Sequence, residues 1–358
     1  MNASTLIYNL DLPALTDLLT QWDEPAYRAR QIWQGLYHHF YNSADEFTAL
    51  PKSLRAKLAS NLTFGGLAPI SQLASSDKQT VKTLFRLQDG NVIEAVLMKY
   101  GDTDDTRHAT PAARSRRTLC ISSQAGCAMG CVFCATGQLG FKRHLTSGEI
   151  VAQVMFYARH LHERDERVTN VVVMGMGEPF HNYDNTLAAV DRLNDPDGYN
   201  FGARRITLST VGLVPAIRRF ADEMRQVNLA VSLHAADDET RGNMMPVNKK
   251  YDIAEVIEAC RYYVQKTGRR ITFEWALIDH VNDTPETARK LAASLKGLLC
   301  HVNAIPLNPT TGYAGKATDR TRAQIFKETL EQAGIPCTIR MRRGIDIAAG
   351  CGQLAGAR

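Results

Sequence analysis

The chain is 358 residues long, and 44% of its residues are hydrophobic and 22% charged, which is typical of a folded globular protein. No apolar run approaches the roughly 18 residues that a membrane-spanning helix needs, and residues 1–5 lack the basic flank and apolar segment of a secretory signal. We therefore expect a cytoplasmic protein with no membrane contact, folded as one large domain or two unequal ones.

The charge balance and the cysteines narrow the classes of function. The formal net charge is +5, a mild excess that permits a nucleic-acid partner without requiring one. Eight cysteines are present, and three of them are closely spaced. This usage predicts metal or redox chemistry in a reducing compartment rather than a disulfide scaffold.

Residues 1–75 are predicted to form a helical accessory domain, because apolar residues recur at helical spacing over 12–20, 25–40 and 51–59. It could equally be a cap that buries one end of a larger domain. Residues 76–117 predict a β-hairpin and a connector: 80–87 and 92–100 alternate apolar and polar residues, and Asp89-Gly90 between them is a strong turn signal. Glu94 lies in the second of these strands, where a carboxylate usually faces solvent.

From residue 118 to residue 341, strand and helix patterns alternate. Strands are predicted over 118–123, 169–174, 205–210, 228–233, 270–278, 301–306 and 337–341, and helices over 147–163, 184–194, 214–224, 252–267, 285–298 and 321–333. Six strand–helix units imply a parallel sheet with right-handed crossovers. Because a closed barrel needs eight units, the predicted fold class is α/β, a partial six-unit barrel. Residues 342–358 form a separate C-terminal segment.

A short loop holds three cysteines at Cys127, Cys131 and Cys134. Three adjacent thiols do not suit disulfides, and a structural zinc site normally takes four protein ligands. Three thiolates with one open position instead describe an iron–sulfur cluster, since such clusters are held by cysteine thiolates. The spacing alone leaves a zinc knuckle or three incidental cysteines as alternatives.

With Phe133 before the last cysteine, this spacing resembles the signature of the radical S-adenosylmethionine (SAM) superfamily. The resemblance implies a 4Fe–4S cluster whose open iron binds SAM. It also implies that one electron from the cluster cleaves SAM to methionine and a 5′-deoxyadenosyl radical.

Further motifs are predicted to meet the cysteine loop at one rim, because the chemistry of parallel barrels lies at the carboxyl ends of the strands. Glycines at 175 and 177 would let the backbone approach a ligand closely. Short polar residues at the other strand ends suit the ribose and the carboxylate of SAM, and Glu178 could accept hydrogen bonds from its amino group or ribose. His234 is as often a local hydrogen-bond partner as a ligand contact. The polar residues at these strand ends are Ser209, Ser232 and Asn308.

Taken together, six motifs resemble the RlmN/Cfr family of RNA adenine methyltransferases over nearly the whole chain. They are Tyr-Arg-Ala-Arg-Gln-Ile-Trp at 27–33, Ser-Ser-Gln-Ala-Gly-Cys at 122–127, Gly-Met-Gly-Glu-Pro at 175–179, Leu-Ser-Thr at 208–210, Ser-Leu-His-Ala at 232–235 and Gly-Cys-Gly-Gln-Leu at 350–354. The resemblance implies SAM contacts at Gly177, Glu178, Ser209, Ser232, Leu233, His234 and Asn308.

The resemblance implies a reaction that uses two molecules of SAM per turnover. The first would methylate Cys351, and the second would supply the radical that takes a hydrogen from this S-methyl group. The resulting methylene adds to an adenine carbon, a base removes the ring proton, and Cys120 attacks Cys351 to release the RNA and leave a disulfide. Glu94 matches the proton acceptor, with Cys120 as a competing candidate. Without the resemblance, Cys120 could be a core cysteine and Cys351 a tail residue of no consequence.

Two branches of the family differ in the carbon that they methylate. Pro179 and residues 182–185 favour the C2 branch, which acts on adenosine 2503 of 23S rRNA and adenosine 37 of some tRNAs, over the C8 branch, which acts on the same rRNA site. The expected partners are 23S rRNA, tRNA and a small electron-donor flavoprotein, and we expect a monomer with an RNA-binding accessory domain. The rivals are a radical SAM enzyme with a non-RNA substrate and a zinc-dependent RNA-binding module.

Pairs of basic residues recur along the chain and flank several of these motifs. Most such pairs in any protein are solvated surface, but here they lie where an RNA phosphate backbone would have to run. The pairs are Arg116-Arg117, Lys142-Arg143, Arg204-Arg205, Lys249-Lys250, Arg269-Arg270 and Arg342-Arg343.

Overall fold

A computed structural model of the chain describes residues 5–100 and 116–356; most of the predicted connector lies outside these ranges. The N-terminal part is helical, as predicted. Its helices are α1 (Leu12–Gln21), α2 (Tyr27–Tyr37) and α3 (Lys52–Asn61), and two short parallel strands, β1 (Thr5–Leu6) and β2 (Leu62–Thr63), bring its two ends together.

The rest of the chain is built on a ten-stranded sheet. Its strands are β3 (Ala68–Ala74), β4 (Thr80–Arg86), β5 (Val92–Lys99), β6 (Arg117–Cys120), β9 (Asn170–Val173), β10 (Ile206–Thr210), β11 (Asn228–Ser232), β12 (Ile271–Leu277), β13 (Cys300–Pro306) and β14 (Cys337–Ile339). A separate antiparallel pair, β7 (Gln124–Gly126) and β8 (Phe141–His144), carries the cysteine loop. The helices are α4 (Ala135–Gln138), α5 (Ser147–His162), α6 (Tyr183–Asn194), α7 (Val214–Asp222), α8 (Asp238–Met244), α9 (Ile253–Thr267), α10 (Pro285–Leu295) and α11 (Arg320–Gln332).

The predicted partial α/β barrel of six units is confirmed. Strands β6 and β9 to β14 follow one another in the sheet in chain order, and all neighbouring pairs among them are parallel. Helix α5 begins with a capping box: Thr146 Oγ1 accepts from the Glu149 N–H at 3.2 Å, and the Glu149 carboxylate accepts from the Thr146 N–H at 2.9 Å. Buried side chains such as Trp275 and Phe326 fill the space between sheet and helices.

The predicted hairpin forms, but it extends the barrel sheet rather than standing apart. Its turn has Gly90 at φ +86°, and β5 pairs antiparallel with β6, with Leu97 opposite Leu119. Strand β3, which the sequence did not predict, pairs with β4 although it lies inside the predicted accessory region. All of its residues are exposed, so they carry no apolar alternation from which a strand could be recognised.

The helical part packs onto α5 and α6. Asn9 Oδ1 accepts a hydrogen bond of 2.9 Å from the Gly148 N–H, and the guanidinium of Arg192 donates to the carbonyl of Tyr8. A Cβ at residue 148 would lie 2.6 Å from the Asn9 nitrogen. Glycine at this position therefore lets the two parts of the molecule approach each other.

After β14, residues 340 and 341 lead into the C-terminal segment, which crosses to β4 and β5. The guanidinium of Arg343 donates to the Gln79 side chain, Asp346 accepts from the Ser76 N–H at 2.7 Å, and Lys82 donates to the carbonyl of Ala348 at 3.2 Å. The segment thereby spans the open side of the barrel. None of the helices in the described parts of the chain has both the length and the apolar character needed to cross a membrane.

Candidate active site

The cysteine loop is held by the small β7–β8 hairpin. The Cys127 N–H donates to the carbonyl of Gly140 at 3.0 Å. Gly126 has φ +74°, and a Cβ there would overlap the Gly140 oxygen, so only glycine fits. Helix α4 begins directly after Cys134, and the loop ends there.

The three cysteines line one small cavity of about 120 Å³. Within the described ranges, no three His, Cys, Asp or Glu side chains converge on one point as they would around a single metal ion; the sulfurs lie around the cavity instead. Burial raises the pKa of the Cys127 thiol to about 12 and holds that of Cys131 well above its ordinary value, and negative charge on neighbouring thiols and on Glu178 acts in the same direction. Metal binding must therefore displace thiol protons. Three soft sulfur donors around one space fit an iron–sulfur cluster.

The glycines after β9 are required by packing. A Cβ at residue 175 would lie 2.7 Å from the carbonyl oxygen of Ile121, and one at residue 177 would lie 2.7 Å from the backbone nitrogen of Gln124. Gly177 also has φ +101°, which favours glycine. Both residues also line the cavity, so the neighbouring backbone already requires glycine at positions where a ligand contact is predicted.

Glu178 is buried at the cavity wall. Its Oε1 accepts from the Phe180 N–H at 3.0 Å and its Oε2 from the Val211 N–H at 2.8 Å. Burial raises its pKa to about 7, even though these hydrogen bonds favour the ionised form. Glu178 therefore orders the loops after β9 and β10 around the cavity.

The residues at the ends of β10 and β11 also meet here. Ser209, Ser232 and His234 line the same cavity. His234 Nδ1 accepts from the Ala276 N–H at 2.9 Å, which leaves the proton of the neutral ring on Nε2. Burial lowers the pKa of His234 to about 3, so the ring stays neutral. Leu233 is packed in the hydrophobic core, so only its backbone can contact a ligand.

Asn308, which follows β13, contacts the C-terminal segment. Its Nδ2 donates to the carbonyl of Cys351 at 3.0 Å. Its Oδ1 is buried and has no hydrogen-bond partner among the described residues. Because buried acceptors are normally paired, this oxygen fits a donor on a bound ligand.

The C-terminal segment places Cys351 beside the cysteine loop. The N–H of Ala135 donates to the carbonyl of Gly352 at 2.8 Å, and the Thr136 hydroxyl donates to the carbonyl of Leu354 at 2.5 Å. Gln353 Nε2 donates to the carbonyl of Pro309 at 2.9 Å. These bonds run from the residues that follow Cys351 to the loop and to the end of β13.

A second, larger cavity of about 680 Å³ contains Cys120 and Cys351 together. Both thiols are free. Burial raises the pKa of the Cys120 thiol to about 12, whereas Cys351 is the exposed one of the two. The structure thus brings the two predicted cysteines, far apart in the sequence, into one space.

Glu94 lies in β5 with its side chain inside the molecule rather than in solvent. Its Oε1 forms an ion pair of 3.0 Å with Lys82, and its Oε2 accepts from the N–H groups of Ala355 and Gly356 at 2.9 and 3.2 Å. The carboxylate therefore anchors the C-terminal segment. The tail would have to move before Glu94 could accept a proton from a substrate.

Glu274 is a buried cavity residue that the sequence analysis missed. It lines the larger cavity, its Oε2 accepts from Asn303 Nδ2 at 2.6 Å, and burial raises its pKa to about 7. One signal was present: Thr272 and Glu274 alternate with Ile271, Phe273 and Trp275, which marks one polar face on a strand predicted to be buried.

Two family profiles match the chain. The profile "Radical SAM superfamily" matches residues 121–292, and "Ribosomal RNA large subunit methyltransferase N-terminal domain" matches residues 5–63. The "Dual-specificity RNA methyltransferase RlmN 1" of Myxococcus xanthus is 48% identical over 99% of this chain and 95% of its own length. The "Probable dual-specificity RNA methyltransferase RlmN" of Chloroflexus aurantiacus is 47% identical over 98% of this chain and 92% of its own.

The chain belongs to the RlmN family. The crystal structure of a radical SAM methyltransferase from Sphaerobacter thermophilus agrees, with a TM-score of 0.93 at 49% identity, covering 99% of this chain and all of that one. The chain is thus an RNA methyltransferase of the radical SAM type, and its family implies SAM and a 4Fe–4S cluster as its cofactors. The predicted family and fold class are confirmed.

Proposed function

We propose that this enzyme methylates C2 of adenosine 2503 in 23S rRNA and of adenosine 37 in tRNAs, with Cys351 as the methyl carrier. The observation that carries the proposal is that Cys351 and Cys120 line one cavity while the backbone of residue 352 is bonded to the cysteine loop. The names of its relatives support more than one RNA substrate.

Each cysteine has a distinct task in this proposal. Cys127, Cys131 and Cys134 would hold the cluster, which when bound would supply the electron for the reductive cleavage of SAM. Cys351 exchanges its thiol proton for a methyl group from the first SAM, since a thiolate is the competent nucleophile. The second SAM provides the radical that takes one hydrogen from that group, and the methylene carbon then bonds to C2 of the adenine.

Release of the RNA from its covalent bond to Cys351 needs a base and a second sulfur. Glu94 or Cys120 accepts the C2 proton. Cys120 then attacks the sulfur of Cys351 as a thiolate, and the bond from that sulfur to the methylene carbon breaks as the disulfide forms. The methylene carbon takes up a proton, and the odd electron of the adduct would return to the cluster that was oxidised in the cleavage of SAM. The cavity that holds both cysteines supports this step.

The SAM site is proposed at the rim of the smaller cavity. This cavity is lined by Gly177, Glu178, Ser209, Ser232 and His234, and the backbone of Leu233 is adjacent. Asn308 would contribute its Oδ1, which has no hydrogen-bond partner among the described residues, while its Nδ2 holds the C-terminal segment. We further propose two SAM molecules per turnover, a small flavoprotein as reductant, and a cytoplasmic monomer.

Nucleoside analysis tests the proposal. RNA from cells with and without the gene is digested and analysed by mass spectrometry with authentic 2-methyladenosine and 8-methyladenosine as standards. We expect 2-methyladenosine to disappear from both rRNA and tRNA when the gene is deleted. Loss of 8-methyladenosine instead would assign the enzyme to the C8 branch, and an unmethylated Cys351 after incubation with SAM would refute the methyl-carrier role.

A further inference from the structure

Four of the six basic pairs noted in the sequence come together at one end of the barrel. Arg116 precedes β6, Arg204 precedes β10, Arg270 precedes β12, and Arg343 lies on the C-terminal segment beside the carbonyl of Lys99 at the end of β5. Strand β5 runs antiparallel to β6, so all four positions lie at the amino ends of the parallel strands. The other two pairs lie near the cysteine loop, at the opposite end.

The larger cavity opens between these arginines. Its lining runs from Tyr100 and Arg116 at the amino ends of the strands to Asn308 and Cys351 at the carboxyl ends, with Cys120 between them. Arg270 and the arginines at 340, 342 and 343 line it as well. The reactive cysteines are therefore reached from the basic end of the barrel.

The arginines at this opening form no ion pairs within the described part of the chain. Among the described residues, none of the arginines at 116, 270, 340, 342 and 343 lies within ion-pairing distance of a carboxylate, and Arg343 donates instead to Gln79 and to a backbone carbonyl. By contrast, Arg143 near the cysteine loop is paired with both Asp89 and Glu149. Unpaired guanidinium groups around a cavity are suited to RNA phosphates.

The same opening also presents a stacking surface. The Tyr100 ring lies close to two guanidinium groups: the Cζ atom of Arg116 is 4.0 Å from the ring centroid, and the Cζ atom of Arg343 is 4.6 Å from it. Met341, on the lining, is 73% exposed. Single-stranded bases are recognised by stacking on aromatic rings and guanidinium planes.

A neighbouring depression of about 720 Å³ extends the basic surface. It shares Thr207, Arg270 and Thr272 with the larger cavity and adds Arg204 and Arg269. Arg269 donates to Gln226 and Asn228 at 3.2 and 2.7 Å, while its buried Nε has no partner in the described part of the chain. Phosphates flanking the target nucleotide fit this depression.

The opposite end of the barrel is covered by the C-terminal segment. Residues 352 and 354 are bonded to α4, and Gln353 is bonded to Pro309. The cavity at that end is about 120 Å³, and it is lined by the residues proposed to hold SAM. Because SAM is proposed to occupy this end, the larger cavity is the space left for the target nucleotide.

From this geometry we infer that the target nucleotide reaches Cys120 and Cys351 through the opening at the amino ends of the barrel strands, with its flanking phosphates on the unpaired arginines. This inference rests on the proposed methyl transfer to an RNA base. It assigns the two ends of the barrel to different substrates: SAM occupies the carboxyl end and RNA enters from the other.

Binding measurements test the charges. The double variant Arg270→Gln/Arg342→Gln, at two exposed positions on the cavity lining, is compared with Arg164→Gln/Arg289→Gln, which removes the same charge at exposed positions on the outside of the barrel. With a stem-loop RNA containing the target adenosine, we expect about tenfold weaker binding at moderate salt for the first variant only. The slope of log K against log salt should also fall by about 1 for each phosphate that the variant no longer binds.

A separate readout distinguishes RNA docking from the chemistry. Methylation of Cys351 by SAM, followed by mass spectrometry of the tail peptide, should be equal in both double variants and the parent enzyme. Equal RNA affinities and salt slopes in all three proteins would overturn the inference. Absence of Cys351 methylation in the parent enzyme would instead count against the proposed function.

Photo-crosslinking tests the direction of approach without relying on affinity. p-Benzoylphenylalanine is placed either at Met341, at the amino-end opening, or at Phe141, which is 40% exposed next to the cysteine loop. We expect the RNA to crosslink to position 341, near the target adenosine. Crosslinking confined to position 141 would place RNA at the carboxyl end and overturn the inference.

Discussion

The carbonyl of Gly352 accepts a hydrogen bond of 2.8 Å from the N–H of Ala135, so the residue after Cys351 is joined to the residue after Cys134. This bond connects the C-terminal segment to the loop proposed to hold the cluster. The proposed carrier of the methyl group is thereby positioned by the same loop that would hold the radical source.

The Thr136 hydroxyl strengthens that connection, and its removal should loosen the tail. In Thr136→Val the shape is kept but the bond to the carbonyl of Leu354 is absent, which costs about 1 kcal/mol. We expect the Cys351 thiol to react several-fold faster with iodoacetamide while bound iron is unchanged. Thr338→Val, at an exposed position of β14, serves as the control, and equal alkylation rates in all proteins would contradict the role of this bond.

The loop cysteines should be needed for iron and the core cysteines should not. After anaerobic reconstitution with iron and sulfide, Cys131→Ala is expected to lose most of its iron and its visible absorbance, because one of three ligands is gone. Cys260→Ala, on the buried face of α9, should retain both. Full iron content in the first variant would remove residue 131 from the cluster site.

Cys120 should be needed to release the RNA from the enzyme. In Cys120→Ala the methylene bridge between Cys351 and the adenine has no attacking sulfur, so we expect a covalent RNA–protein complex that persists in denaturing gels. Cys300→Ala should give free methylated RNA. The assignment fails if Cys120→Ala releases methylated RNA at the parent rate.

Gly177 should be far less tolerant of alanine than an open glycine. A Cβ at residue 177 would meet Gln124 at 2.5 Å, whereas Gly268 has φ +65° and a Cβ there would have nothing within 4 Å. Left-handed backbone alone costs about 1 kcal/mol for alanine, so urea denaturation should show that loss for Gly268→Ala. Gly177→Ala should lose at least about 3 kcal/mol once the clash is added. Equal losses in the two variants would contradict the packing explanation for Gly177.

Glu274 should make stability depend on pH. Burial raises its pKa from 4.5 to about 7, so the folded state keeps a proton that the unfolded chain releases in this interval. The stabilisation present below pH 4.5 is lost as the pH rises through 7. Relative to the parent, Glu274→Gln should therefore gain up to roughly 3 kcal/mol between pH 4.5 and 8.

Urea denaturation of both proteins at pH 5 and pH 8 measures this gain. Glu258→Gln, at an exposed position on α9, is the control and should show no such difference. A stability difference between Glu274→Gln and the parent that is the same at both pH values would contradict the predicted linkage.

The sequence by itself determined the barrel and singled out the cysteines and several of the polar residues that line its two cavities. Alternating strand and helix patterns are local consequences of side-chain periodicity, so the strands of the parallel sheet were predicted to within a few residues. The topology of parallel strands then placed Cys127, Gly177, Ser209 and Ser232 at one rim, because the carboxyl ends of such strands share one edge of the sheet.

Only the tertiary structure decided the partners of those residues. Glu94 is paired with Lys82 and the tail, β3 joins the sheet without an apolar face, and Glu274 meets Cys351 in one cavity. The tertiary structure likewise decided which basic pairs lie at the amino end of the barrel and which lie at the carboxyl end. These relationships depend on contacts between residues far apart in the chain, and local periodicity carries no information about such contacts.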